Sequence, residues 1–135
     1  MFPFFVFAYI NAFISIEDKN FYKHKGIDVI RIGGAFLSNL KTNSLSQGAS
    51  TITQQYARNL FLTSDKTYKR KLEEISIAIN LETKYSKDEI LEGYLNTINY
   101  GGVFGIENAS QYYFNKSASE LSLAEASMLA GIPQS

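Results

Sequence analysis

Apolar positions recur along most of this chain at helical spacing, and polar punctuation divides them into a series of short helices. The clearest begins at Ser86-Lys87-Asp88-Glu89, a capping-box pattern. Ile90, Leu91, Tyr94, Leu95 and Ile98 then line one face until Asn99 and Gly101-Gly102 stop it. Ser122-Leu123-Ala124-Glu125 repeats the device ahead of an Ala-rich segment that ends at Gly131 and Pro133. Between Lys66 and Lys84, Leu72, Ile75, Ile79 and Glu82 keep the helical period, while Ile75, Ile77, Ile79 and Leu81 also alternate as a strand would. The length of the segment selects helix. Shorter helices are expected over Asp28 to Leu40, Thr51 to Leu60 and Gly105 to Phe114, joined by loops at Lys41 to Gln47, Thr63 to Asp65 and Tyr100 to Phe104. The two prolines both lie near the ends, so nothing breaks the helical middle. The expected fold class is mainly α, a multi-helix domain with little or no sheet.

The first sixteen residues need separate treatment. Phe2 to Ile16 is apolar apart from Asn11 and Ser15, but it falls short of the ~20 residues that span a bilayer. No basic residue precedes the run and no small-residue cleavage site follows it, so it does not read as a signal peptide. Two readings stand: a membrane-proximal, interfacial segment, which the aromatic weighting of Phe2, Phe4, Phe5, Phe7 and Tyr9 favours, or a core helix. The expected organisation is residues 1–16 as a membrane-proximal apolar segment followed by one domain over 17–135.

Composition narrows the chemistry. A chain of 135 residues can bury one core and removes about two thirds of its unfolded surface from water. Apolar residues at 45% and aromatics at 14% argue against disorder. The 13 basic and 13 acidic side chains cancel, which gives no support for a nucleic-acid partner. Any anion site must therefore be local. Arg58, Lys66, Lys69, Arg70 and Lys71 stand close in sequence against the single Asp65, either as an anion site or as a solvated helix face. No cysteine is present, which excludes disulfides, thiolate catalysis and cysteine-held zinc. One histidine excludes a two-His metal site, while a magnesium held by carboxylates stays open.

The candidate catalytic groups are carboxylates. Glu17 and Asp18 follow Phe13, Ile14 and Ile16 and precede Phe21, an apolar boundary that favours a usable general base. Gly48 to Gln55 is crowded with uncharged hydrogen-bonding groups. Among them Ser50, Thr51 and Gln54 suit sugar and phosphate oxygens; capping of a helix by Ser50 or Thr51 is the other reading, and both hold at once where a helix N-terminus attracts an anion. In Arg70-Lys71-Leu72-Glu73-Glu74 cations meet carboxylates. His24 reads as a hydrogen-bonding strut for its loop, and Tyr94 and Asn96 as packing and helix-terminal residues. Ser38-Asn-Leu-Lys41 matches the Ser-x-x-Lys of penicillin-binding transpeptidases, but no Lys-Thr-Gly or Ser-x-Asn companion accompanies it.

These islands resemble, in order, the motifs of the peptidoglycan glycosyltransferase domain, glycosyltransferase family 51, found in class A penicillin-binding proteins and monofunctional glycosyltransferases. Glu17 to Gly26, reading Glu-Asp-Lys-Asn-Phe-Tyr-Lys-His-Lys-Gly, resembles the first motif and Gly48 to Gln55 the second. Arg70 to Glu74 resembles the third, whose glutamate falls on Glu74 rather than Glu73, and Lys87 to Asn96 the fourth. The family's fifth, arginine-containing motif lies beyond Ser135, so the sequence looks trimmed there. The resemblance implies a lysozyme-like helical domain that polymerises lipid II, inverting the anomeric centre and releasing undecaprenyl pyrophosphate. It makes Glu17 the general base, with Asp18 as its helper or an acceptor contact. Arg58, Lys66, Arg70 and Lys71 then surround the donor pyrophosphate, together with Ser50, Thr51 and Gln54. Glu74 either orients substrate or holds a divalent ion, Mg or Mn. The partners implied are lipid II, the nascent glycan chain, the bacterial membrane at its extracytoplasmic face and cell-wall synthesis proteins. Two rivals remain at this point: a truncated, non-catalytic fragment that binds lipid II or the membrane, and a lysozyme-like hydrolase or lytic transglycosylase. The cation cluster argues against the second, because glycan cleavage expels no pyrophosphate.

Overall fold

The apolar start of the chain is used as one side of a helix. In the computed structural model, which describes residues 6–42, 50–61 and 67–134, α1 spans Val6–Glu17 and turns Tyr9, Ile10, Phe13 and Ile14 inward, leaving Asn11, Ser15 and Ile16 exposed. That i, i+1, i+4, i+5 spacing is one stripe of a 3.6-residue helix, so the segment is amphipathic although nearly all its residues are apolar. The core-helix reading therefore describes its packed part. The expectation built on Phe2, Phe4 and Phe5 lies outside the described residues.

Six further α-helices follow among the described residues: α2 Val29–Thr42, α3 Ile52–Phe61, α4 Tyr68–Lys84, α5 Lys87–Thr97, α6 Ile106–Phe114 and α7 Leu123–Gly131. Short 3₁₀ turns cover Ala118–Glu120 and Ile132–Gln134. The mainly α expectation holds. The single pairing of extended backbone among the described residues is an antiparallel bridge between Asn99 and Phe104. By internal contacts the chain forms two units, residues 1–19 with 92–135, and residues 20–91.

In the first unit α1 packs on α7. Ala126, Leu129 and Ala130 supply a mostly small-residue face on α7 that lets the large α1 side chains approach, and Phe13 meets Tyr94 edge-on at 5.5 Å between ring centres. Buried tyrosines need partners for their hydroxyls. Tyr9 and Tyr100 hydrogen-bond to each other, and Tyr113 donates to the Tyr100 carbonyl at 2.9 Å. Burial above all, and then Tyr100, pushes the Tyr9 phenol far above its usual range, so it stays neutral. At the start of α7 the Ser122 hydroxyl accepts from the Glu125 N–H while the Glu125 carboxylate accepts from the Ser122 N–H, the capping box expected there.

In the second unit α3 packs on α4 around Ile52, Ala57, Ala78 and Leu81. The buried stripe of α4 is Glu74, Ala78 and Leu81, not the Leu72, Ile75, Ile79 series that carries the period in the sequence; Leu72 and Ile79 are exposed. The helix is rotated because Glu74 pairs inward with cations of its own helix, which makes a charged position buriable. Asp28 precedes α2 and accepts from the Arg31 N–H at 3.1 Å and from the Asn20 amide at 3.0 Å, an N-cap rather than the first helical residue. The predicted capping box of α5 is present through Ser86 and Glu89, at 3.1 Å in each direction.

Candidate active site

Glu17 is the last residue of α1 and Asp18 the first beyond it. The helix end separates their environments: Glu17 is half-buried, whereas Asp18 is fully buried and its N–H closes the final turn on the Ile14 carbonyl at 2.8 Å. Of the two carboxylates, Glu17 is the one with solvent exposure.

The charged cluster lies in the second unit, on the first turns of α4. The Thr67 hydroxyl caps the helix by accepting from the Arg70 N–H at 3.1 Å. Arg70, Lys71 and Glu74 then fall within one turn. The Arg70 guanidinium donates to Glu74 Oε2 at 2.8 Å and the Lys71 ammonium to Glu74 Oε1 at 2.9 Å. The Glu74 side chain is fully buried, that of Arg70 is 11% exposed and that of Lys71 39%. Two cations share one carboxylate, so the cluster keeps a net positive charge, and Lys71 carries it to the surface. Lys71 also donates to the Ser50 hydroxyl at 2.7 Å, joining the second motif to the third. Glu73, by contrast, is exposed, in keeping with the assignment of the motif's glutamate to Glu74.

Thr51 and Gln54 are brought to the same place but are occupied structurally. Thr51 Oγ1 accepts from the Gln54 N–H at 3.1 Å while Gln54 Oε1 accepts from the Thr51 N–H at 3.0 Å, a capping box for α3. The Thr51 hydroxyl also donates to the Gly26 carbonyl at 2.7 Å. Both side chains are buried, and Ser50 is the member of the trio with partial exposure. Arg58 stands in the last turn of α3. Lys66 and Gly48 lie outside the described residues.

Each Glu74 oxygen already accepts from one cation, so a divalent ion there would share the carboxylate with Arg70 and Lys71. Among the described residues no group of three or more His, Asp or Glu side chains could hold a metal.

Three residues outside the sequence-based set take part in this region. Glu82 accepts from the Thr53 hydroxyl and from the Lys87 ammonium, at 2.7 Å each, and Lys87 also approaches His24 Nδ1 at 3.4 Å. Lys87 lies in the fourth motif and was legible as a motif member. Thr53 lies within the second motif in the same way, whereas the pairing with Glu82 carries no local signal, since only folding brings α3 and α4 together.

Residues 7–135 match the family model described as Transglycosylase. The chain is also similar to penicillin-binding protein 2D of Bacillus subtilis (strain 168), with 60% identity over 126 residues, which cover 93% of this chain and 18% of that protein. It is 52% identical over 124 residues to penicillin-binding protein 1F of the same organism, covering 91% of the chain and 17% of the relative. Penicillin-binding protein 1A of Clostridium tetani (strain Massachusetts / E88) is 53% identical over 130 residues, 93% of this chain and 16% of that one. The chain belongs to the Transglycosylase family, and with it to the peptidoglycan glycosyltransferase class that its motifs resemble. It spans less than a fifth of the length of these relatives. The matched region begins at residue 7, inside the apolar segment whose packed part forms α1.

Proposed function

We propose that this domain extends glycan strands from lipid II, releasing undecaprenyl pyrophosphate. The observation that supports this reading best is the Arg70–Glu74–Lys71 cluster around a buried carboxylate, with its net positive charge and its hydrogen bond to Ser50. A leaving pyrophosphate develops negative charge on its oxygens, and preorganised cations favour that transition state over the ground state.

In this mechanism Glu17 takes the proton from the 4-hydroxyl of the acceptor sugar. The oxygen attacks C1 of the lipid-linked chain from the face opposite the leaving group, the C1–O bond to pyrophosphate breaks, and the anomeric centre inverts. Lys71, Arg70, Arg58 and Lys66 answer the charge of the departing group. Glu74 orients Arg70 and Lys71, and Asp18, buried beside Glu17, fixes the end of α1. Thr51 and Gln54 shape the N-terminus of α3 and so place Ser50. The role expected of Mg or Mn falls to Lys71 and Arg70, and no step is routed through a metal.

Among the described residues no helix is long and apolar enough to cross a membrane. On α2, however, Ile30, Phe36 and Leu37 are exposed, a surface that suits contact with lipid, as an undecaprenyl-linked substrate requires. Action at the extracytoplasmic face of the cytoplasmic membrane, alongside other cell-wall synthesis proteins, is part of the same proposal.

The test is to give the purified protein in detergent labelled lipid II, with EDTA or with added Mg or Mn, and to size the products. Polymer formed in both conditions and lost in Glu17→Gln supports the reading. Polymer that requires the added ion would return a metal to Glu74. Binding without polymer would replace the proposal with a lipid II-binding module, and release of short sugars from finished glycan would replace it with a hydrolase.

A further inference from the structure

Lys87 is the first residue of α5, a position usually left to solvent, yet its side chain is only 19% exposed and that of its partner Glu82 only 9%. An ammonium is strongly hydrated, and withdrawing it from water costs several kcal/mol unless its contacts replace that hydration. Here they come from separate segments. The ammonium donates to Glu82 Oε1 on α4 at 2.7 Å, approaches His24 Nδ1 at 3.4 Å, and sits 4.6 Å from the centre of the buried Phe21 ring. Glu82 Oε1 in turn accepts from Thr53 on α3 at 2.7 Å.

The loop it grips leads to the second motif. His24 Nδ1 also accepts from the Gly26 N–H at 3.1 Å, so in the neutral ring the proton resides on Nε2. Gly26 has φ of 110°, and a Cβ placed on it would lie 3.0 Å from the Ala78 carbonyl oxygen, so its backbone is pressed against α4 in a conformation suited to glycine. Its carbonyl receives the Thr51 hydroxyl, and Thr51 is itself the cap of α3 and is preceded by Ser50, which Lys71 holds.

We propose that Lys87 is a positioning residue: paired with Glu82 and facing His24 Nδ1, it locks the Phe21–Gly26 loop against the cap of α3 and thereby sets Ser50 in register with Lys71. This rests on the lipid II reading above for its functional consequence. It acts through Thr51 and Ser50 without touching substrate, and a misplacement of ~1 Å at such a site costs on the order of a hundredfold in rate.

The experiment compares wild type, Lys87→Met, Lys87→Arg and the charge-paired double variant Glu82→Gln/Lys87→Met, in detergent. Two readouts are taken: lipid II polymerisation, and ¹⁵N–¹H imidazole spectra, which need no assignment because the chain has one histidine. The expected results are an Nε2–H tautomer with Nδ1 as hydrogen-bond acceptor in wild type, a displaced Nδ1 signal in Lys87→Met, a fall in kcat/KM of roughly ten- to a hundredfold with unchanged circular dichroism, and recovery of most activity in Lys87→Arg. If Lys87→Met does not fold, the double variant, which leaves no uncompensated Glu82, is expected to fold and remain slow. A wild-type rate in any folded variant lacking the ammonium overturns the proposal. So does an Nδ1–H tautomer in the wild type, an unmoved Nδ1 signal in Lys87→Met, or failure of both Met variants to fold. Wild-type protein that polymerises nothing refutes the lipid II reading instead, and the imidazole spectra still report on the Lys87–His24 contact by themselves.

Discussion

Lys71 and Ser50, 21 positions apart in the chain, are joined by a 2.7 Å hydrogen bond, and through it the second and third motifs become one polar surface. The same ammonium reaches Glu74, so the surface cation is tethered at two points and aimed before any substrate arrives. Preorganisation of this kind is what a leaving group rich in charge demands, since reorienting a lysine during the reaction would cost part of the stabilisation it supplies.

Glu74→Gln removes the one anion that Arg70 and Lys71 share. Breaking a buried ion pair at one partner leaves the other charge uncompensated, so a loss of about 3 kcal/mol in urea denaturation is expected, together with loss of polymerisation. Glu73→Gln, at an exposed position, should stay within about 0.5 kcal/mol of wild type and keep its activity. Equal effects at the two positions would contradict the assignment of the third motif's glutamate.

Gly26→Ala tests the loop independently of charge. The new methyl group would sit at positive φ and press on backbone atoms of Ala78 and Ile79 that have no flexible end to swing aside. A destabilisation of at least ~1–3 kcal/mol is expected by chemical denaturation. A neutral result would mean that the loop is not seated on α4.

Phe13→Ala asks whether α1 belongs to the core. With Phe13 fully buried and in edge contact with Tyr94, the substitution should cost about 3–5 kcal/mol. An unchanged melting temperature would show that the apolar segment contributes only outside the packed unit.

Asp28 provides a pH dependence. The Asn20 amide first, and then the Arg31 N–H and the His24 and Arg31 charges, hold its carboxyl below the usual range against the opposing effect of burial. A lowered folded-state value contributes stability that is present above the unfolded value of about 3.9 and is lost as pH falls through the folded one. Melting temperatures followed from about pH 5 downward should therefore decline less steeply in Asp28→Asn, whose side chain still caps α2. Identical acid slopes in both proteins would remove Asp28 from the acid response.

Much of this was legible without coordinates. Capping boxes at Ser86 and Ser122 are local, satisfied within four residues, and both formed as read. The inward face of α4 was not legible, because the apolar period pointed to Leu72 and Ile79 while the buried position went to a glutamate. Hydrophobic spacing cannot anticipate a carboxylate that becomes buriable only once Arg70 and Lys71 close on it. The sequence offered Ser50 or Thr51 as the cap of α3, and only the folded chain shows Thr51 in that role with Gln54 as its reciprocal partner.

By itself the sequence determined the helical class, the caps at Ser86 and Ser122 and the family, because each rests on spacing within a single segment or on ordered motifs. Only the tertiary structure decided that one carboxylate, Glu74, would serve two cations and that the Lys87–Glu82 pair would bind α3, α4, α5 and the Phe21–Gly26 loop together. Those outcomes depend on which faces meet. A charge enters the interior only where residues remote in sequence, or turned inward on the same helix, replace the water it gives up.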